Sequence, residues 1–79
     1  MDNKVAVVGI ILRDVAAVPA LNEILSSYDQ YIVGRMGLPH VKDDLRVISI
    51  IIDAPSDVIA FFTGKISQLE GVSSQALYA

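Results

Sequence analysis

Apolar positions divide this sequence into segments typical of buried strands and amphipathic helices. Residues 4–12 and 45–53 are rich in β-branched side chains and apolar at nearly every position. Since successive side chains of a strand point to opposite faces, both predicted strands are mostly apolar on both faces. Two further strands are predicted at residues 31–38 and 72–78, and residues 39–44 are predicted to form a turn or loop.

Two helices are predicted from apolar positions that recur three and four residues apart. The first begins near Ala16 or Pro19 and ends at Ser27, and the second covers residues 57–69 with Ser56 as its N-cap. Gly71 is expected at the C-terminal end of the second helix. The buried stripes are expected to be Leu21, Ile24, Leu25 and Tyr28 in the first helix, and Ile59, Phe62, Ile66 and Leu69 in the second.

The order strand, helix, strand, strand, helix, strand is typical of a ferredoxin-like α+β domain. Right-handed crossovers then give a four-stranded antiparallel sheet of order 4-1-3-2, with both helices on one face. The first and third strands, which are apolar on both sides, would lie at the centre. Residues 1–79 are therefore expected to form one βαββαβ domain.

The second apolar face of this sheet predicts a homo-oligomer, either a dimer or a tetramer. Hydrophobic residues make up 53% of the chain, yet two helices can cover only one face of the sheet. A chain of 79 residues has a small core, and with no cysteine it has no disulfide or thiolate metal site to stabilise it. We expect a second copy of the chain to cover the face that carries Val47 and Ile51, or else the alternate positions.

The charge balance argues against a nucleic acid partner, and the length of the apolar runs argues against a membrane span. Nine Asp and Glu residues outnumber six Lys and Arg residues, for a net charge of −3, and no basic stripe typical of a DNA-binding domain is visible. No apolar run approaches the roughly 18 residues of a membrane span, and the N-terminus does not resemble a signal peptide. A cytoplasmic location is expected.

Two motifs resemble a known family. Residues 35–39 read Arg-Met-Gly-Leu-Pro, and residues 63–72 read Thr-Gly-Lys-Ile-Ser-Gln-Leu-Glu-Gly-Val, with Ile66-Ser67 where the family usually has Leu-Gly. With Leu21-Asn22-Glu23-Ile24-Leu25 in the first helix, they resemble the iron-only hydrogenase system regulators over nearly the whole chain. The resemblance implies an ACT-like ferredoxin fold, related to the C-terminal domain of the nickel regulator, and a role as a regulatory oligomerisation domain. Nickel-regulator relatives carry a ribbon-helix-helix DNA-binding segment ahead of this domain, and none is expected in the three residues before Lys4.

Three residues are candidates for ligand binding at a subunit interface. Arg35 lies in an apolar strand, where its planar fork suits a carboxylate, although its stem could instead pack on an edge strand while its head reaches water. Asp14 lies where the first strand meets the first helix, and N-capping is the simpler interpretation of this residue. His40 is the sole histidine; it could ligate a metal only where copies of the chain meet, and a loop histidine is the simpler interpretation.

Two positions in the second helix have alternative interpretations. Gly64 lowers helix propensity, so it is expected to allow close packing, with a ligand-facing gap as the alternative. Phe61 lies off the buried stripe, either in a contact patch or on the helix flank. No Ser/His/Asp set or P-loop is recognisable, so no enzyme activity, metal or cofactor is expected. The predicted function is a sensor domain that responds to a small ligand or partner. Its rivals are a transcription factor that binds DNA directly and an assembly factor for a redox enzyme.

Overall fold

The computed structural model describes residues 2–79, apart from the side chain of His40. The strands are β1 (Asn3–Leu12), β2 (Ile32–Lys42), β3 (Leu45–Pro55) and β4 (Val72–Tyr78), and the helices are α1 (Val18–Ser27) and α2 (Ser56–Ser67). Short 3-10 helices at Val15–Ala17 and Asp29–Tyr31 flank α1. The predicted α+β class, with two helices and an antiparallel sheet in a ferredoxin-like arrangement, is confirmed.

The described strands form one antiparallel sheet in the order β2-β3-β1-β4. Within it, Val7 of β1 lies opposite Ile51 of β3 on one side and opposite Leu77 of β4 on the other. The same register places Val8 opposite Ile50 on the other face of the sheet. The side chains of the paired residues therefore lie on one of two faces. One face lies beneath the helices, and the described residues leave the other uncovered, so we call it the open face.

The hydrophobic core lies between the helix-side face of the sheet and the two helices. Phe62 of α2 is fully buried, and its ring centroid lies 5.0 Å from that of Tyr28. Both predicted helix stripes are confirmed, because Ile24, Tyr28 and Leu69 pack against the core at its margin and the other five members lie within it. The core residues are Ala6, Val8, Ile10, Leu12, Leu21, Leu25, Ile50, Ile52, Ala54, Ile59, Phe62, Ile66 and Val72.

Strand β2 is longer than the sequence indicated. Residues 39–42 were predicted to lie in a loop, but the strand continues to Lys42, which pairs with Leu45 across a turn at Asp43 and Asp44. Pro39 is compatible with this strand because β2 is an edge, where an N–H group on the outer side needs no partner. The pairing is irregular between Leu38 and Lys42, which fits a proline within the hairpin.

The start of α2 also differs from the prediction. Strand β3 runs through Pro55, which occupies the N-cap position, so Ser56 is the first helical residue and makes no capping hydrogen bond. The carboxylate of Asp57 accepts a hydrogen bond from the backbone N–H of Val58 at 2.9 Å. The helix therefore follows β3 without an intervening loop and begins without a side-chain cap.

Helix α2 ends at Ser67, two residues earlier than predicted, and Gly71 lies in the turn that leads to β4. Gly71 has a φ of 77°, which a residue with a side chain rarely adopts. A Cβ atom on Gly71 would lie 2.6 Å from the Cβ of Asp14. The backbone N–H of Arg13 also donates to the carbonyl of Gly71 at 2.7 Å, so this turn packs directly on the segment that follows β1.

Candidate functional site

The open face of the sheet is apolar across all four strands. The register places its side chains in rows that cross the sheet, and exposed large apolar residues occur in several of them. Leu77 is 73% exposed and Met36 59% exposed, although both lie on a sheet rather than in a loop. The apolar members of this face, from one edge to the other, are Met36, Leu38, Val47, Ile51, Val5, Val7, Ile11 and Leu77.

The middle row of the open face is more polar and contains a glycine. Gly9 of β1 lies opposite Ser49 of β3 and opposite Gln75 of β4, while Met36 of β2 lies opposite Ser49. A Cβ atom on Gly9 would have no neighbour within 4 Å. The row is therefore low at Gly9, in the centre of an otherwise largely apolar surface.

A depression of about 330 Å³ lies over this glycine, and we call it the Gly9 notch. Its lining includes Ile11 and Val47, which provide apolar walls, and Ser73 and Gln75, which provide hydrogen-bonding groups. The guanidinium of Arg13 lies at its rim, where Nη1 donates to the Ser73 hydroxyl at 2.9 Å. The notch can therefore hold a compact molecule with both apolar and hydrogen-bonding surface.

Charged side chains gather where β1 ends. Arg13, Asp14, Asp44 and Arg46 line a second depression of about 280 Å³, together with Val15. Asp14 is the N-cap of the 3-10 helix, and its Oδ1 accepts a hydrogen bond from Ala16 at 3.0 Å, so the predicted capping role is confirmed. Two arginines beside two carboxylates suit a ligand that carries both signs of charge.

Arg35 lines neither of these two depressions. It is exposed on edge strand β2 and pairs with Ile50, so it belongs to the helix-side face rather than the open face. The register shifts between Ile32 and Gly34, and this irregularity places Arg35 on the same face as Ile32 instead of the opposite one. Measured along the shared neighbour β3 at 3.3 Å per residue, Arg35 lies about 13 Å from the residues that follow Leu12. The structure therefore does not bring Arg35 and Asp14 together. Their role in ligand binding stays a prediction.

His40 lies in β2, but its side chain is outside the described residues, and its predicted role as a ligand residue is untested. Among the residues the structure describes, no group of three or more His, Cys, Asp or Glu side chains could hold a metal ion. No described helix combines the length and apolar character that crossing a membrane requires.

The outer surface of α2 carries the two positions that sequence reasoning left open. Phe61 is 65% exposed, and a Cβ atom on Gly64 would have no neighbour within 4 Å, so packing inside the chain does not explain that glycine. Nearby, a groove of about 270 Å³ runs between the helices, where the Lys65 ammonium lies 5.7 Å from the centroid of the Tyr28 ring. This cation–π contact forms part of the wall of the groove.

Sequence reasoning did not single out Gly9, Arg13 or Arg46. A glycine inside a predicted central strand is a recognised signal of close approach by a ligand or another backbone, and it was present in the sequence. Arg13 and Arg46 gave no such signal, because only the pairing of Leu12 with Arg46 brings the two arginines to the same end of the sheet.

Two solved structures share this fold. The uncharacterized protein TM1266 from Thermotoga maritima superposes with a TM-score of 0.91 at 22% sequence identity, and the match covers 98% of each chain. CPII from Thiomonas intermedia K12, solved bound to ADP, AMP and acetate, matches with a TM-score of 0.53 at 14% identity, over 100% of this chain and 92% of that one. These identities establish a common fold and nothing further.

Comparison of this sequence with the profiles of protein families is more specific than the two structural matches. No curated protein matches this chain significantly. A family profile described as "TM1266-like: Iron-only hydrogenase system regulator, putative" matches residues 4–76, which is nearly the whole domain. The resemblance carried by the two sequence motifs is therefore confirmed, and the chain belongs to the TM1266-like family of iron-only hydrogenase system regulators.

Proposed function

We propose that this chain is a non-catalytic, cytoplasmic regulatory domain that works as a homo-oligomer built on a dimer. A second copy covers the open sheet face, and a small ligand at that interface changes the stability of the assembly. The family description supports the regulatory role. For the ligand to act as a signal, it must bind the assembled state better than the separate chains.

The observation that carries this proposal is the apolar open face. Four strands about 4.8 Å apart and about 28 Å long give it a projected area on the order of 500 Å². The whole face, with its more polar middle row included, is therefore similar in size to the largest apolar patches that monomeric proteins expose, about 300–600 Å². A rough surface has more accessible area than its projection, so the face approaches the roughly 800 Å² per partner of a standard interface.

The ligand part of the proposal has two supports. The described residues contain depressions of about 330 Å³ on the open face and about 280 Å³ at the adjoining strand ends, both large enough for a small molecule. CPII, a distant match in fold, was solved bound to ADP, AMP and acetate. Arg35, Asp14 and His40 stay predicted ligand residues within this proposal, and Asp14 is the one of them that lines a described depression.

The oligomeric part is tested by charged substitutions on the open face. Met36 and Leu77 are both largely exposed in the single chain, so a Met36→Glu/Leu77→Glu double variant is expected to fold normally. Sedimentation equilibrium would compare it with the unsubstituted chain. We expect the dissociation constant of the dimer to rise at least 100-fold, because the four carboxylates of the variant dimer would be left unpaired in an apolar interface, at a cost of several kcal/mol.

The matched control places the same two charges elsewhere. Ala60 and Phe61 are exposed on α2 and lie off the open face, so an Ala60→Glu/Phe61→Glu variant is expected to dimerise like the unsubstituted chain. An unsubstituted chain that sediments as a monomer at 1 mM, or equal weakening by both double variants, would refute the proposal.

A further inference from the structure

The positions that directly flank the apolar rows of the open face carry cations at one end and a carboxylate at the other. Arg13 follows β1 at one end, where its guanidinium bonds to Ser73, and Lys42 pairs with Leu45 in the same region. At the other end Asp53 lies opposite Val5 and is exposed. The acids of the turn, Asp43 and Asp44, lie beyond the Lys42–Leu45 pair, at the tip of the hairpin.

These charges favour one way of stacking two copies face to face. If the strands of both copies point the same way, the cations near Arg13 of both copies meet, and so do the two Asp53 carboxylates. If a two-fold axis runs across the strands, the end that carries Arg13 lies over the end that carries Asp53 in the second copy. Opposite charges then face each other, which favours the second arrangement.

That axis passes over the middle row, since one apolar row lies on each side of it, the row of Val7 on one side and the row of Ile11 on the other. Each middle-row residue then faces its own equivalent: Gly9 lies over Gly9 and Ser49 over Ser49. The rows beside it exchange, so that Ile11 faces Val7 and Leu38 faces Gly34, where the structure leaves room for a side chain. An isologous contact requires this kind of self-complementary surface.

We infer that two copies stack with antiparallel strands, and that the two Gly9 notches together form a closed chamber for a small uncharged ligand. Stacked sheets lie about 10 Å apart, so two facing glycines leave space where other residue pairs fill it. The inference rests on the proposed function and specifies its ligand site. Neither copy encloses the chamber alone, so binding and assembly are coupled.

The lining determines the class of ligand. Ile11 and Val47 offer apolar walls, while Ser73 and Gln75 offer neutral donors and acceptors, and Ser49 lies beside Gly9. The guanidinium of Arg13 at the rim already bonds to Ser73 and faces the acidic end of the second copy in this arrangement. A compact molecule with an apolar body and an amide or hydroxyl group matches these surfaces, whereas a carboxylate would be buried without its own counter-ion.

Single cysteines test the orientation, because the chain has no native cysteine. A short bis-thiosulfonate reagent replaces a direct disulfide, since stacked backbones lie further apart than a disulfide spans. We expect Ser49→Cys to cross-link to itself in high yield. Ile11→Cys should not, because its equivalent lies about 14 Å away along the strand. An equimolar mixture of Ile11→Cys and Val7→Cys chains should cross-link into heterodimers.

Isobutyramide and isobutyrate test the chamber, because they share one shape and differ in charge. We expect millimolar isobutyramide to shift the backbone amide signals of Gly9, Ser49 and Gln75 in the dimer, and isobutyrate to bind at least tenfold more weakly. A Gly9→Val change should abolish the shifts. Gly37→Val is the matched control on the other face of the sheet, where its Cβ makes only an ordinary contact 4.0 Å from Ile48.

The outcomes separate the two proposals. A monomeric chain would overturn both. A dimer in which Ile11→Cys cross-links to itself as well as Ser49→Cys does would overturn the antiparallel stacking and leave the sheet-face dimer intact. Correct cross-linking without isobutyramide shifts, or tighter binding of isobutyrate, would overturn the uncharged-ligand chamber alone.

Discussion

Replacing Gly71 by alanine should destabilise the domain by about 2–4 kcal/mol, through two effects that the structure separates. The first is backbone conformation. Gly71 has a φ of 77°, and a residue with a Cβ atom pays about 1–2 kcal/mol to adopt the left-handed region. This cost arises even where the new methyl group has space around it.

The second effect is a steric clash with the segment after β1. The new Cβ would lie 2.6 Å from the Cβ of Asp14 and 3.3 Å from its backbone nitrogen, and neither atom is the flexible end of a side chain. The segment must therefore move, which weakens the hydrogen bond of 2.7 Å from the Arg13 N–H to the Gly71 carbonyl. A net loss of about 1 kcal/mol is typical for one such bond, and displaced packing adds to it.

Gly64→Ala provides the control, because it is the same chemical change with the opposite expected sign. Gly64 lies in the exposed part of α2, and a Cβ atom there would meet nothing within 4 Å. Alanine should raise helix stability by about 0.5–1 kcal/mol.

Urea denaturation followed by circular dichroism would measure both changes, at one fixed protein concentration because assembly adds to apparent stability. A domain of 79 residues is expected to have only about 4–12 kcal/mol of total stability, so the Gly71→Ala midpoint should fall clearly. A Gly71→Ala variant within about 0.5 kcal/mol of the unsubstituted chain would refute the reasoning, as would destabilisation by both alanines to the same extent.

Three further substitutions test the core and the junctions. Phe62→Ala should cost about 3–5 kcal/mol in urea denaturation, because the ring is fully buried; a loss below about 1 kcal/mol would contradict its central place in the core. Asp14→Ala should cost about 1 kcal/mol by removing the acceptor for the Ala16 N–H, whereas Asp14→Asn keeps an acceptor and should stay within a few tenths; equal losses would argue against capping. Ser74→Ala should cost about 1 kcal/mol, since its hydroxyl donates to the Thr63 carbonyl at 2.9 Å. Ser73→Ala removes only an exposed bond from Arg13 and should cost less, so equal losses would contradict the role of Ser74 in holding β4 to α2.

The sheet and its helices could be predicted because their signals are local. Residues such as Ile50 and Ile51 follow each other in one strand, and both are apolar, so the sequence itself indicates that β3 has two faces to cover. The helix stripes follow from the spacing of Leu21, Leu25, Ile59 and Phe62 in the same way. These patterns depend on the direction of side chains within one element, and no distant pairing can change them.

Strand β2 was harder to predict because its irregularities come from its position at the edge of the sheet. Pro39 and the charged residues after it are typical of a loop, and they are tolerated in a strand only because one side of β2 is unpaired. The register shift near Val33 likewise leaves the hydrophobic pattern intact and yet changes the face of every residue that follows. This shift places Arg35 beside Ile50 on the helix-side face, whereas strict alternation from Ile32, which pairs with Ile52, would place it on the open face.

The Gly9 notch illustrates the remaining limit, since it exists only through long-range pairing. In the sequence, Gly9 is a single interruption of an apolar strand, with Ser49 and Gln75 forty and sixty-six positions away. Pairing of β1 with both β3 and β4 brings the three into one row, and each neighbour contributes a neutral polar group. A central strand gains nothing from a glycine in its own fold, because a side chain there would meet open space and valine would strengthen the strand. The glycine is therefore better explained by what approaches the open face than by the stability of the single chain.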